Sequence, residues 1–240
     1  MMLNQAARWA GSLLLAFSLF ATPSATAQSE PPTSNTPAVT LYDQTNNAGA
    51  NFVDSSDWGT HFTTVTSQAA DDFVVPTSDI WRVTSVTVSG AIVESEGPGV
   101  LSLLVQFYSN SSGNSPATLM YSQTVPSGSI GGLGTGIFVV TLLAPITFGP
   151  GHYWFSVQAR QACTSSSCKH WVWTERTVKS NLESVWQNPP NGFGSGCTTW
   201  KPRVTVCHQP NGSVNADLLF KLSGTLIPVA SHLFLPVTYR

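Results

Sequence analysis

From residue 80 to residue 93 the chain alternates with a period of two. Val83, Ser85, Thr87 and Ser89 lie on one side of the alternation, and Thr84, Val86, Val88 and Gly90 on the other. Period two with β-branched residues throughout is the signature of an extended strand. A strand of this length cannot stand alone. It needs hydrogen-bonded neighbours and a second layer to cover its apolar face. The neighbours are also in the sequence. Gly97-Pro98-Gly99 turns the chain, residues 100–108 run back as a near-continuous apolar strand, and residues 110–114 (NSSGN) turn it again. Further strand patterns occupy 39–42, 69–75 (stopped by Pro76), 119–125, 136–143, 153–157, 171–175 and 217–222. Residues 52–58, with Asp54 and Asp57, read as a loop or short strand. No segment carries a capped helical stripe. Strand signals spaced ~8–12 residues apart with Gly, Pro, Asn and Ser between them predict an all-β chain. The expected architecture is a single antiparallel β-sandwich of eight or nine strands, jelly-roll-like first and immunoglobulin-like second, over residues 38–225.

The flanks differ from this domain. Residues 1–27 have the layout of an export signal: Arg8 in the n-region, a short apolar run over 10–20, and Ala25-Thr26-Ala27 before Gln28. That run is shorter than the ~20 residues a bilayer span needs, so no membrane span is expected. Residues 28–37 (QSEPPTSNTP) form a Pro/Ser/Thr linker. Residues 226–240 (LIPVASHLFLPVTYR) form an apolar tail interrupted by Pro228, His232 and Pro236, read either as an extra edge strand or frayed end, or as a sorting signal of the "-LPV-x-R" kind. Only 9% of the residues are charged, with ten Lys/Arg against twelve Asp/Glu. No basic cluster could track a phosphate backbone, which excludes nucleic acid as the expected partner. A polar but uncharged surface fits a secreted protein at the cell surface or outside the cell.

Seven segments in order, LYDQ (41–44), ADDFVVP (70–76), W-x-V-x-x-V-x-V-x-G (81–90), V-x-F-Y-S (105–109), G-x-Y-W-F-S-V (151–157), W-V-W (171–173) and DLLFKLSGT (217–225), resemble an uncharacterised β-sandwich domain of exported bacterial surface and secreted proteins. The resemblance spans most of the chain after residue 28. It implies a sandwich fold and export, and it brings no catalytic residues with it.

Unusual residues concentrate between 151 and 200, where five of the eight tryptophans and three of the four cysteines fall. Cys163 and Cys168, and Cys197 and Cys207, are spaced as two local loop staples, although four cysteines permit three connectivities. Disulfides are preferred to a zinc site built with His170 or His208, because neither spacing resembles the tight pairs of structural zinc. Trp171 and Trp173 lie two apart on a strand and so share a face. Exposed, they would form a stacking platform for sugar rings; buried, they are sandwich core. Trp186 and Trp200 lie in Gly/Asn/Pro-rich sequence and are the better ligand-binding expectations. Asp71 and Asp72, entering a strand, are candidates for a structural Ca²⁺ site, against the simpler role of capping nearby amides. The chain has no GxSxG elbow, HExxH or P-loop; Glu175 and Glu183 can be put forward as a glycosidase pair, but the sequence gives no distance between them. The expectation is therefore a non-catalytic module with a structural or adhesion-type role. The alternative is a carbohydrate-binding module using Trp171, Trp173, Trp186 or Trp200, with a polysaccharide or cell-envelope component as partner.

Overall fold

The computed structural model describes residues 37–59, 62–93, 99–161, 163, 169–210, 213–214 and 217–228. The expected export signal and nearly all of the expected linker and tail lie outside this set. In chain order the strands are β1 (Val39–Asp43), β2 (Ala48–Asp54), β3 (Ser56–Asp57), β4 (Gln68–Val75), β5 (Asp79–Val93), β6 (Val100–Asn110) and β7 (Pro116–Pro126). They continue with β8 (Ile137–Phe148), β9 (Gly151–Gln161), β10 (His170–Arg176), β11 (Val185–Gln187), β12 (Lys201–Pro202), β13 (Asp217–Leu218) and β14 (Phe220–Pro228). Among the described residues there is no α-helix, and none is long and apolar enough to cross a membrane.

Two sheets pack face to face. The first runs β1-β14-β5-β10-β13, with β2 added against β10 and β8 against β5. The second runs β12-β11-β4-β9-β6-β7, with β3 lying parallel to β9. All other pairings are antiparallel, so the expected β-sandwich is the architecture of the chain. The long strand found by its alternation is β5, which pairs with β14, β8 and β10. Strict alternation would put Val83 and Val86 on opposite faces, yet both are buried. The ladders to β14 and β8 each slip between Val83 and Ser85, and this bulge rotates the strand so that Trp81, Val83, Val86 and Val88 all face inward.

The space between the sheets is filled by rings. Phe73, Phe107, Phe148 and Phe155 interlock at centroid distances of 5.1–6.2 Å, while Trp173 and Phe220 close on Phe155 from the first sheet. Full burial of each such side chain contributes roughly 1.5–3 kcal/mol. Gly90 is required where Trp171 crosses β5: a Cβ there would come within 2.3 Å of the indole nitrogen. A smaller cluster lies on the outer face of the second sheet, where Ala70, Tyr108, Trp154 and Val185 are covered by Leu182 and Trp200. Residues 177–210 therefore fold back over this sheet as a cap. The cap includes β11, which pairs with β4, and β12, which pairs with β11; neither carries a strand pattern of its own. At the other end, β14 continues through Leu226 and Ile227 to Pro228, pairing with Asp79, Ile80 and Trp81. The start of the apolar tail is thus an extension of the domain's strand.

Candidate functional site

The tryptophans expected to bind ligand are mostly core. Trp171, Trp173 and Trp186 are fully buried, and their indole N–H groups donate to the carbonyls of Gly136 (2.8 Å), Leu219 (2.9 Å) and Asp54 (2.9 Å). No ring face of the three reaches the surface, so a sugar platform on Trp171 and Trp173 is ruled out by packing. Trp186 misleads because the Gly/Asn/Pro-rich sequence around it suggests an exposed loop, whereas the residue sits on β11, paired with β4, and its ring joins the main core. Trp200 is half-buried, edge-on to Tyr108 at 6.0 Å.

The carboxylates expected to hold Ca²⁺ hold protein amides instead. Asp71 and Asp72 are consecutive on β4 and so face opposite sides of the sheet. Asp71 Oδ2 accepts from the Gln44 side chain (2.7 Å) and from the Leu218 backbone N–H (2.6 Å), and its Oδ1 accepts from Asp72 N–H (2.9 Å). Asp72 Oδ2 accepts from Leu182 N–H (3.1 Å) and contacts His152 Nε2. Among the described residues no group of three or more His, Cys, Asp or Glu side chains is arranged to hold a metal ion. Asp217 accepts from Ser180 N–H and lies 3.7 Å from the Arg176 guanidinium. Burial, reinforced by the neighbouring carboxylates, raises Asp71 well above the usual range. Burial pushes Asp217 up to about 7 against the opposing pull of the Ser180 amide and Arg176.

Glu175 and Glu183 are fasteners of the cap. Glu175 is fully buried and pairs with the equally buried Arg203 guanidinium, while the Ser213 hydroxyl donates to both of its oxygens at 2.7 and 2.8 Å. Glu183 accepts from the backbone N–H groups of Val204 (2.6 Å) and Thr205 (2.9 Å). Cys197 and Cys207 form a disulfide within the same segment. Cys163 is also disulfide-bonded; Cys168, its expected partner, lies outside the described residues.

Sequence reasoning missed a cavity of about 270 Å³ lined by Asp54, Trp58, Phe62, Val65 and Phe193. Each wall is positioned by an identifiable contact. Asp54 ends β2, and its carbonyl accepts from both the Trp186 indole and the Ser67 hydroxyl. Trp58 follows β3 and lies over the His170 ring at a centroid distance of 4.5 Å, with Phe62 edge-on at 6.3 Å. Phe193 reaches the cavity from the cap. The buried Asn188 side chain ties it there, donating to the Thr64 (3.1 Å) and Thr66 (2.7 Å) carbonyls and accepting from Phe193 N–H (3.0 Å). Gly192 N–H donates to Thr64 O at 2.8 Å. This approach is so close that a Cβ on Gly192 would fall 2.1 Å from that oxygen.

Two of the lining residues have a buried polar atom without a hydrogen-bond partner among the described residues, Asp54 Oδ1 and Trp58 Nε1, as do Asp72 and Asp217 elsewhere, each at Oδ1. His170 Nε2 lies 3.8 Å from Asp54 Oδ1, within ion-pair range and beyond hydrogen-bond reach. The Asp54 side chain keeps 27% of its surface exposed. Its pKa is raised by burial, with His170 opposing the shift. Trp58 stands alone in polar sequence (Asp57-Trp58-Gly59), outside any apolar alternation, and that isolation is the one signal that could have drawn attention to it.

Comparisons with protein-family models, with curated proteins and with solved structures find no match for this chain.

Proposed function

We propose that the chain is an exported, non-catalytic β-sandwich module with a structural or adhesion-type role at the cell surface or outside the cell. The observation that carries this reading is the clasped cap. Residues 177–210 are closed on themselves by the Cys197–Cys207 disulfide and are tied to β10 by the buried Arg203–Glu175 pair, whose carboxylate Ser213 also holds. A disulfide spanning a ten-residue separation supports an oxidising compartment, and a rigid irregular surface on a stiff sandwich suits display. The carboxylates that might have formed a hydrolytic pair, Glu175 and Glu183, are committed to holding this segment, which supports the non-catalytic part of the reading.

Expression of the full chain with cell fractionation tests it. The mature protein should begin at Gln28, lie outside the cytoplasm and show oxidised Cys197 and Cys207 by non-reducing mass measurement. Purified protein should associate with cell-envelope material without degrading it. Cytoplasmic retention with free thiols would sink export, and release of sugars from the envelope material would sink the non-catalytic role.

A further inference from the structure

The cavity lined by Asp54, Trp58, Phe62, Val65 and Phe193 joins a low capacity for hydrogen bonding to a negative charge. Trp58 presents ring carbon to it, because its indole nitrogen is closed to solvent. Phe62, Val65 and Phe193 add only hydrocarbon. Asp54 is the exception. Its Oδ1 is closed and turned toward His170, while 27% of the side chain stays exposed, which leaves Oδ2 as the accessible oxygen. Among the described residues no lysine or arginine lines the cavity.

The three rings are each half-buried, whereas Phe73, Phe107, Phe148 and Phe155 of the core are fully buried. Ring surface left exposed in one place marks a contact with something else. The rings are also held from behind. Trp58 rests on His170 at 4.5 Å, and Phe193 stands edge-on to the buried Trp186 at 5.5 Å with its amide tied to Asn188. Preorganisation of this kind lowers the ordering cost of binding.

The surface presented narrows the ligand. A hydrocarbon would strand the carboxylate against apolar groups. A sugar or a primary ammonium calls for several hydrogen-bond partners, and the lining side chains offer one accessible oxygen. An anion is repelled. A methylated ammonium carries its charge under a skin of methyl groups, needs no hydrogen bond, and is attracted by a carboxylate and by aromatic rings alike. At about 270 Å³ the cavity is near the lower limit of small-ligand sites, a size suited to such a head group.

We propose that the Asp54–Trp58–Phe62–Phe193 cavity binds a quaternary ammonium group of the choline type, with Asp54 as its counter-charge and the rings as its walls. The group belongs either to a free small molecule or to a phosphocholine head group. The inference goes beyond the structural or adhesion-type role and does not depend on it.

Titration of the full, oxidised chain with tetramethylammonium and choline chlorides tests the site, with ionic strength held constant by NaCl. The readout is the Trp58 indole resonance, assigned by its loss in Trp58→Phe. Both cations should shift it saturably at concentrations up to roughly tens of millimolar. The alcohol 3,3-dimethylbutan-1-ol has the shape of choline with carbon in place of nitrogen, and should bind about tenfold more weakly. Asp54→Asn keeps the side-chain shape and should weaken tetramethylammonium by about tenfold while leaving the alcohol unchanged. Retention on phosphatidylcholine vesicles together with choline binding would name the head group as the source, and choline binding without retention the free compound. A resonance unmoved by both cations overturns the proposal. Equal binding of the neutral alcohol overturns it too, and both of these results are read on the unmodified protein. Their failure would leave the exported-module reading standing, and cytoplasmic retention of the chain would leave this site standing.

Discussion

Asp71 and Asp54 sit on neighbouring parts of the same sandwich, and their carboxylates meet opposite circumstances. Asp71 is fully buried and its two oxygens accept three hydrogen bonds, tying β4 to Gln44 and to the Leu218 amide. Asp54 is partly exposed, yet one of its oxygens is buried with no hydrogen-bond donor among the described residues. Depth of burial does not decide pairing, because the more deeply buried carboxylate is the fully bonded one. Asp72 and Asp217 fall between the two, each with one oxygen accepting a backbone amide and the other buried and unpaired among the described residues.

The contrast can be broken most forcefully from the partnered side. Glu175→Ala leaves the Arg203 guanidinium buried without its carboxylate, and should cost about 3–5 kcal/mol in denaturant unfolding. A loss under ~1 kcal/mol would place the pair among weak surface bridges and undo the clasped-cap reading. Next in size is Gly192→Ala, whose new Cβ must displace the Thr64 carbonyl, at an expected cost of roughly 1–3 kcal/mol. The same variant should loosen the Phe193 wall, detectable as a change in the Trp58 indole resonance.

A third prediction concerns pH. Asp217 titrates near 7 in the folded protein, above the ~3.9 of an unfolded chain, so the folded state holds the extra proton between those values. Its stabilising contribution is complete below about pH 4 and is lost as pH rises through about 7. Melting temperature should therefore fall across that window, and Asp217→Asn should flatten the decline; a steeper decline in the variant would contradict the assignment. The smallest effect belongs to the unpartnered side. Trp58→Phe removes a donor that no described residue uses and should change stability by no more than about 0.5 kcal/mol. A loss of several times that amount would make Trp58 a structural residue like Trp171.

Alternation and turn chemistry were enough to recognise the sandwich, because period-two burial is a local property of consecutive residues. The strand at 80–93, the stop at Pro76 and the return over 100–108 all stand in the structure as read. The bulge between Val83 and Ser85 was not legible, since it depends on how β14 and β8 slip against β5. Nor were β11 and β12, two- and three-residue strands that exist because the cap lies against β4. The roles of the tryptophans were open for a similar reason. Two residues on one strand face share a side, but only the opposing sheet determines whether that side is core.

The sequence by itself determined the all-β class, the order of the main strands and the close spacing of the Cys197–Cys207 staple, all of which follow from short-range patterns. Tertiary structure alone decided that Trp171, Trp173 and Trp186 are core, that Asp71 and Asp72 serve amides on opposite faces, and that Asp54, Trp58 and Phe193 share one cavity. Those outcomes depend on contacts between residues distant in the chain, where burial and hydrogen-bond pairing are set by the packing of whole sheets and not by any residue's neighbours in the chain.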